Sequence, residues 1–334
     1  MIKVTLANLK TIDLSPQSSD FATDVLAGLE REQKSISPKY FYDRRGSEIF
    51  DQICQLDEYY VTRTEMSIIR SLSSRIDANQ SPLLVVELGG ASSYKFRNLL
   101  QVLPEISAYM PIDISRDALF EDAFALARDF PNIDVTAVCA DYLQIESLSA
   151  FYPDHNYTPM VFFPGSTIGN LSEAEALQVI NFCQKILGGR GYLLLGCDLV
   201  KPESILIPAY ADKNGVTANF NKNLLHRINN ELGGDFDLNK FRHVVRYNQM
   251  HSRIEMHLVS TTRQTVTVKD RMFTLAAGES IHTENSRKFT KDALQRYADA
   301  CGFSIDQWWL DERKYYALAL LRTGDPHWRF QMNP

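Results

Sequence analysis

The sequence predicts an α/β fold, a Rossmann-like and mostly parallel sheet with an α+β region inserted into it. Three observations predict this fold. Residues 83–88 form an apolar run that stops at Gly89-Gly90. Two further apolar runs, 108–112 and 135–140, each end in an aspartate. Residues 241–275 alternate between apolar and polar side chains, which is typical of antiparallel strands and does not continue a parallel sheet.

The first run, LLVVEL at 83–88, contains one polar residue, Glu87. Such a run is typical of a strand buried on both faces, and the glycine pair predicts a tight turn into a helix. Glycine lets the backbone approach a ligand closely, and open α/β sheets bind nucleotides at the carboxyl ends of their strands. The turn continues as Ala-Ser-Ser-Tyr and lacks the G-x-G-x-x-G fingerprint of dinucleotide sites. We therefore expect a smaller ligand without phosphates.

The ends of the next two strands carry acidic residues. Asp113 stands where a carboxylate can accept both hydroxyls of a ribose. Asp141, followed by Tyr142, can accept from an adenine amino group beside an aromatic ring. Each aspartate could instead only cap the helix that follows it. Together, Glu-x-Gly, Asp and Asp-aromatic at successive strand ends form the layout of a class I S-adenosylmethionine-dependent methyltransferase.

Composition narrows the class of protein. A chain of 334 residues with 45% hydrophobic and 23% charged residues is ordinary for a soluble globular protein of one large or two modest domains. The net charge of -6 argues against a nucleic acid partner. No segment predicts a signal peptide or a membrane span. The five cysteines are odd in number and lack metal-ligand spacing, so we expect reduced thiols in a cytoplasmic protein without a metal.

Before the first strand, helices are predicted at 20–32 and 64–74, with aromatic clusters at 40–42 and 59–60 between them. Aromatic clusters usually belong to a core. Phenols can also surround a small zwitterion, because they combine apolar walls with a hydrogen-bonding tip.

A fourth strand is predicted at 159–164, and Asn170 closes the loop after it. In methyltransferases that act on nitrogen, this loop places a polar side chain near the methyl acceptor. The next helix has its own capping box, Ser172-x-x-Glu175, so Asn170 is not needed as its cap.

A fifth strand is predicted at 192–195, a helix over 203–233 and another over 290–301. Residues 303–309 and 315–321 are expected to close the sheet with one antiparallel member.

The segment 39–65, KYFYDRRGSEIFDQICQLDEYYVTRTE, resembles the N-terminal signature of the histidine-specific Nα-methyltransferases of ergothioneine biosynthesis. The resemblance covers nearly the whole chain. It continues through VFFPGSTIGNL (161–171), LLLGCDLVKP (193–202), AYADKNGVTANFNKNLL (209–225), RIEMHL (253–258) and AAGESIHTENSRKF (276–289). The family's glycine turn usually has a further Gly where this chain has Ala91, and Tyr94 replaces a residue that is commonly charged.

The resemblance implies S-adenosylmethionine as the methyl donor, L-histidine as the acceptor and three successive transfers to the α-amine, which give hercynine. The implied cofactor-binding residues are Gly89, Lys95, Asp113, Asp141 and Tyr142. The implied substrate-binding residues are Tyr59, Asn170, Tyr210, Met256, Glu284 and Ser286.

These residue types suit histidine. Asn170 and Tyr210 can donate to a carboxylate, while Glu284 accepts from one imidazole nitrogen and Ser286 serves the other. Tyr42 is the candidate catalytic residue, as a proton relay through water and as one of the rings around the growing cation. By its position alone, Glu284 would be a solvated charge at a strand end.

The expected domains are a cofactor-binding core at 64–200 and 289–334 and a substrate-binding domain at 1–63 and 201–288. We expect a monomer that contacts neither nucleic acid nor membrane. Two alternatives stay open. The acceptor could be another aromatic amino acid, such as a tryptophan derivative, although a pocket for indole should lack the carboxylate at 284. The chain could also be a non-catalytic protein that binds S-adenosylmethionine or histidine.

Overall fold

The computed structural model describes residues 6–14, 21–72, 82–145 and 157–323. The strands, in chain order, are β1 Leu9–Asp13, β2 Leu83–Leu88, β3 Ile106–Asp113, β4 Asp134–Cys139, β5 Thr158–Phe163, β6 Tyr192–Asp198, β7 Phe241–Asn248, β8 Arg253–Ser260, β9 Gln264–Val268, β10 Arg271–Leu275, β11 Ser280–Arg287, β12 Phe303–Leu310 and β13 Tyr316–Thr323. The α-helices are α1 Phe21–Glu30, α2 Arg44–Cys54, α3 Tyr60–Ser71, α4 Tyr94–Val102, α5 Arg116–Asp129, α6 Glu173–Leu187, α7 Glu203–Tyr210, α8 Val216–Leu232 and α9 Lys291–Ala300.

The main sheet has eight strands in the order β1-β4-β3-β2-β5-β6-β13-β12. Strands β1 to β6 pair in parallel, whereas β13 is antiparallel to both of its neighbours. This topology confirms the predicted class I methyltransferase sheet and its single antiparallel member. Residues 324–334, which the prediction assigned to the core, lie outside the described part of the chain.

Strand β2 is buried along its whole length, because alternate residues point into two apolar layers. Leu83 and Val85 belong to the layer that holds residues of α3, α4 and α5. Leu84 and Val86 belong to the opposite layer, with residues of α6 and α9. The one acidic residue of the strand, Glu87, accepts a hydrogen bond from the Tyr109 hydroxyl at 2.6 Å, and burial raises its pKa to about 8. The two layers explain why the run is almost wholly apolar.

The inserted region contains a three-stranded antiparallel sheet in the order β11-β8-β7 and the hairpin β9-β10. Its side chains join the first apolar layer rather than a core of their own, as Leu206, Phe220 and Leu258 show. The inserted sheet therefore shares one apolar core with helices and strands of the main sheet.

Two predicted boundaries differ from the structure. The helix expected over 203–233 is two helices, because Pro208 lies near the end of α7 and the Asp212 carboxylate accepts from the backbone N–H groups of Val216 and Thr217, which starts α8 anew. Strand β1 pairs with β4 in the main sheet, although residues 1–63 were expected in the substrate-binding domain. Pairing with β1 satisfies backbone N–H and C=O groups of β4 that would otherwise be unpaired at the edge of the sheet.

Candidate functional site

The glycine turn stands at the carboxyl end of β2. Gly89 has a φ of 77°, and a Cβ built on it would meet no atom within 4 Å. A Cβ on Gly90 would lie 2.8 Å from the Cβ of Pro111, so packing against β3 excludes a side chain there. Gly89 thus provides the left-handed turn and open space above the backbone, and Gly90 permits close packing.

The order β4-β3-β2 brings Asp141, Asp113 and Gly89 to one edge of the sheet. The Asp113 carboxylate accepts from the Ser115 backbone N–H at 2.7 Å, and the Asp141 carboxylate accepts from the Leu143 N–H at 3.0 Å. Both aspartates therefore do cap local turns. Burial raises the pKa of Asp113. A half-buried carboxylate at this edge is a strong acceptor for a further donor.

Tyr142 follows Asp141 and is half-buried. Its ring centroid lies 6.2 Å from that of Phe182 and 6.5 Å from that of Phe163. This aromatic wall stands beside the two aspartates, where the sequence predicted the base of a nucleoside.

Lys95 lies in the first turn of α4, after the glycine turn, and contacts a residue that the sequence did not single out. Its Nζ lies 2.6 Å from the carboxylate of Glu65, which is fully buried on α3. The other Glu65 oxygen accepts from the Gly165 backbone N–H at 2.8 Å and from the Tyr316 hydroxyl at 2.6 Å. Glu65 therefore joins the predicted cofactor lysine to the loop after β5.

That loop carries Asn170. It begins with Gly165 and Ser166, both at positive φ, and Ser166 accepts from the Asp198 N–H at 3.0 Å. A Cβ on Gly169 would lie 2.8 Å from the Arg287 carbonyl oxygen, so glycine lets the loop pack on β11. Asn170 is half-buried, and its side chain forms no hydrogen bond within the described residues. Its amide is thus available beside the inserted sheet.

Strand β11 presents three polar residues on one face: Glu284, Ser286 and, just beyond the strand, Lys288. Its register with β8 shifts between His282 and Glu284, where Thr283 is the extra residue. His282 pairs with His257, but Glu284 pairs with Met256, which points to the other face of β8. A bulge reverses the phase of all the side chains beyond it, and here it turns Glu284 inward.

Glu284 is 9% exposed, so the expectation of a solvated charge is wrong. Within the described residues, its carboxylate forms no hydrogen bond or ion pair. Burial raises the pKa of Glu284 to about 7, and the nearby Lys288 opposes that rise. A buried carboxylate without a donor is unfavourable in the folded protein unless a ligand supplies the donor.

The predicted tyrosines converge on the same place. The Tyr210 hydroxyl lies 2.7 Å from the Ser286 hydroxyl, and the rings of Tyr210 and Tyr59 meet edge-on at 6.1 Å. Tyr42 is 40% exposed and packs edge-on against Phe50 at 5.5 Å. Surrounding protein atoms, together with the Glu284 charge, raise the pKa values of Tyr42 and Tyr59. The structure therefore brings Tyr59, Tyr210 and Ser286 together, and Tyr42 reaches the same cluster through Phe50, whose ring lies 6.2 Å from that of Tyr59.

A buried ionic network that the sequence did not indicate underlies this cluster. Asp198, at the end of β6, is fully buried and lies 2.8 Å from Lys288 Nζ and 2.5 Å from Lys201 Nζ. Tyr60 donates to Asp198 at 2.7 Å and accepts from Lys201 at 2.8 Å. Burial acts to raise the pKa of Asp198, but the two ammonium groups outweigh it and hold that pKa below its usual value. In the sequence, Lys201 is marked only by the family motif at 193–202.

The described residues contain no group of three or more His, Cys, Asp or Glu side chains arranged to hold a metal ion. Among them, no helix combines the length and the apolar character that crossing a bilayer requires.

Comparison with known proteins shows which family the chain resembles. A family model described as "Histidine-specific methyltransferase, SAM-dependent" matches residues 21–323. The histidine N-alpha-methyltransferase of Mycobacterium tuberculosis is 39% identical over 89% of this chain and 93% of its own. Its counterpart from Mycolicibacterium smegmatis is 38% identical over 95% and 98% of the two chains.

More distant proteins are also similar. The N-methyltransferase dtpB of Aspergillus flavus is 22% identical over 90% of this chain and 88% of its own. Among solved structures, the mitomycin 7-O-methyltransferase MmcR is 9% identical, with a TM-score of 0.49 over 91% of this chain and 68% of that one. That structural likeness is too distant to indicate a substrate.

Proposed function

Since this chain belongs to the family of S-adenosylmethionine-dependent histidine-specific methyltransferases, we propose that it methylates the α-amine of L-histidine three times, forming Nα,Nα,Nα-trimethyl-L-histidine. The family predicted from the sequence is confirmed. The observation that carries the choice of histidine is Glu284, a buried carboxylate that has no donor in the described part of the chain and shares one strand face with Ser286. A neutral imidazole has one N–H donor and one acceptor nitrogen, so it can serve both side chains.

The cofactor site fits S-adenosylmethionine. The open space above Gly89 admits a ligand close to the backbone, and Lys95, 21% exposed, places an ammonium group where a carboxylate can bind. Asp113 would accept from the ribose hydroxyls, Asp141 from the adenine amino group, and Tyr142 would lie beside the base. When bound, S-adenosylmethionine supplies an electrophilic methyl group.

For the amino acid, we assign the α-carboxylate to Asn170 and Tyr210, and the imidazole to Glu284 and Ser286, with Met256 packing against the ring. An α-amino group has a pKa of about 7.7 to 8.0, so an appreciable fraction is neutral near pH 7. Holding this amine in line with the methyl group supplies much of the rate, and no strong base is needed.

Tyr42 and Tyr59 surround the amine in this proposal. Both phenols are neutral at physiological pH, and their raised pKa values make the phenolate form still less accessible. A neutral phenol can pass a proton onward through water but cannot hold a negative charge as a base would. The ring faces would accommodate the trimethylammonium cation that accumulates.

Residues 64–200 and 289–334 would form the cofactor-binding core, joined by β1, and the rest of 1–63 with 201–288 would bind the amino acid. We propose a cytoplasmic monomer that needs no metal and binds neither nucleic acid nor membrane. The five cysteines, all within the described residues, are free thiols, which suits a reducing compartment.

A mass-spectrometric screen tests the proposed activity. The protein is incubated with labelled S-adenosylmethionine and each of the twenty amino acids in turn. Label should enter histidine alone and accumulate as the mono-, di- and trimethylated forms. Label in tryptophan at a comparable rate would favour the indole alternative, and no label in any amino acid would favour a binding protein.

A further inference from the structure

The side chain of Lys288 is enclosed by protein and all of its donors are occupied. It is 2% exposed. Its Nζ lies 2.8 Å from an Asp198 oxygen, 2.9 Å from the Tyr210 hydroxyl and 2.7 Å from the Ser286 hydroxyl. An ammonium group has three N–H donors and no acceptor, so these three partners use it completely. Lys288 therefore cannot bind a substrate directly and can act only through Tyr210 and Ser286.

The backbone fixes this arrangement. The Phe289 N–H donates to the Asp198 carbonyl oxygen at 2.8 Å, which places the end of β11 beside the end of β6. Burial alone would lower the pKa of Lys288, but Asp198 outweighs burial and raises it, so the ammonium form persists.

The ammonium group of Lys288 orients the hydroxyl groups of Tyr210 and Ser286. Both hydroxyl oxygens accept from Lys288, and they lie 2.7 Å from each other. A second N–H donor approaching either oxygen would meet the positive charge of the ammonium group. The same charge polarises both O–H bonds and strengthens them as donors. Each hydroxyl can therefore offer its proton, to its neighbour or to a ligand, but accepts poorly from a ligand.

We propose that Lys288 is a positioning residue that makes Tyr210 and Ser286 hydrogen-bond donors, so that the site selects an aromatic ring with an acceptor nitrogen. This inference rests on the proposed function and deepens it. Glu284, an acceptor on the same strand face, takes the ring N–H. Ser286, as a donor, then requires an acceptor at the other ring nitrogen, while Tyr210 donates to the α-carboxylate. Pyrrole carries an N–H but no acceptor nitrogen, and is rejected for that reason.

The test compares L-histidine with its pyrrol-2-yl and pyrrol-3-yl analogues, each of which retains one ring N–H. Calorimetry gives the ratio of Kd values and turnover gives the ratio of kcat/KM. We expect the wild type to favour histidine over the better analogue by at least about a hundredfold, since a site built to hydrogen-bond a group rejects ligands that lack it. In Lys288→Met the freed hydroxyls can satisfy each other, and the preference should fall by at least about tenfold.

Lys201→Met is the matched control. Lys201 is also buried and also pairs with Asp198, but it contacts neither Tyr210 nor Ser286. Either variant leaves Asp198 with one ammonium partner and the Tyr60 hydroxyl, so both should fold. In Lys201→Met the preference should stay within about twofold of the wild type, whatever happens to absolute activity. If Lys288→Met does not fold, Lys288→Gln removes the charge at nearly the same length and should lower the same ratio.

An unchanged ratio in the folded Lys288 variant, or an equal fall in Lys201→Met, overturns the inference. The Kd ratio separates this result from failure of the proposed function. A protein that binds histidine but does not methylate it disproves the methyltransferase activity and still yields the ratio. A protein that does not bind histidine overturns both.

Discussion

Replacing Glu284 by Gln should make the folded protein more stable at pH 8 and weaken its affinity for histidine. The carboxylate is buried, has no donor within the described residues and has a pKa raised by burial to about 7. Gln has the same shape without the charge. The substitution therefore removes the unfavourable burial of a charge and replaces the carboxylate that we assign to the imidazole N–H by an amide oxygen, which is a weaker acceptor.

The direction of this stability difference follows from the protons that the folded and unfolded states bind. The pKa of Glu284 is about 7 in the folded protein against an ordinary value of 4.5, so the folded state binds more protons between these values. Stability therefore falls as pH rises from 4.5 to 7, and the cost persists above pH 7. At about 1.36 kcal/mol per pH unit, the carboxylate costs the folded protein up to about 3 kcal/mol at pH 8.

Urea unfolding of both proteins between pH 4 and pH 9, without histidine, measures this difference. The curves should coincide near pH 4 and separate by up to about 3 kcal/mol at pH 8, with Glu284→Gln the more stable. Saturating histidine should then stabilise the wild type more than the variant, because the Glu284 carboxylate accepts more strongly from the imidazole N–H than an amide oxygen does.

Glu255→Gln is the matched control on the adjacent strand. Glu255 forms an ion pair with Arg253 at 2.6 Å. Burial acts to raise the pKa of Glu255, but hydrogen bonds from Arg253 and Asn248 outweigh burial and lower this pKa to about 2. A lowered pKa stabilises the folded state above pH 4.5, so Glu255→Gln should be less stable than the wild type at pH 8. If Glu284→Gln is no more stable than the wild type at pH 8, the carboxylate is not a buried charge without a partner, and the reasoning fails.

Three further predictions concern the site. Asp113→Ala should weaken S-adenosylmethionine binding by more than tenfold, because a charged acceptor is worth about 1.5 to 3 kcal/mol; unchanged affinity by calorimetry would remove Asp113 from the site. Histidinamide should be a far poorer substrate than histidine, and Asn170→Ala should discriminate less between them; equal use of both by the wild type would refute the assignment of the carboxylate to Asn170 and Tyr210. Glu284→Ala should lower kcat/KM for histidine at least about tenfold while activity on tryptophan holds or rises, and adding Met256→Val should move the ratio further; a histidine-to-tryptophan ratio that does not fall would contradict ring recognition by Glu284.

Local pattern was sufficient for the cofactor half of the protein. The buried strand at 83–88 needs apolar residues on both faces, and the turn after it needs glycine at a positive φ, so both requirements are visible in a few consecutive residues. The capping box at Ser172 is likewise local, and the structure contains it. Asp113 and Asp141 follow because parallel strands end at the same edge of a sheet.

The substrate half depended on the family resemblance and on contacts between distant residues. Glu284 points inward only because the bulge at Thr283 reverses the phase of β11, and alternation along the strand would have placed it beside His282. The contact between Lys288 and Asp198 joins residues on separate strands, and Glu65 reaches Gly165 across the fold. Strand and turn chemistry is set by neighbours in sequence, so the sequence by itself determined the sheet, its glycine turn and its acidic edge. The direction of a side chain after a bulge and the partners of buried charges depend on where other elements pack, so only the tertiary structure decided how the amino acid site is built.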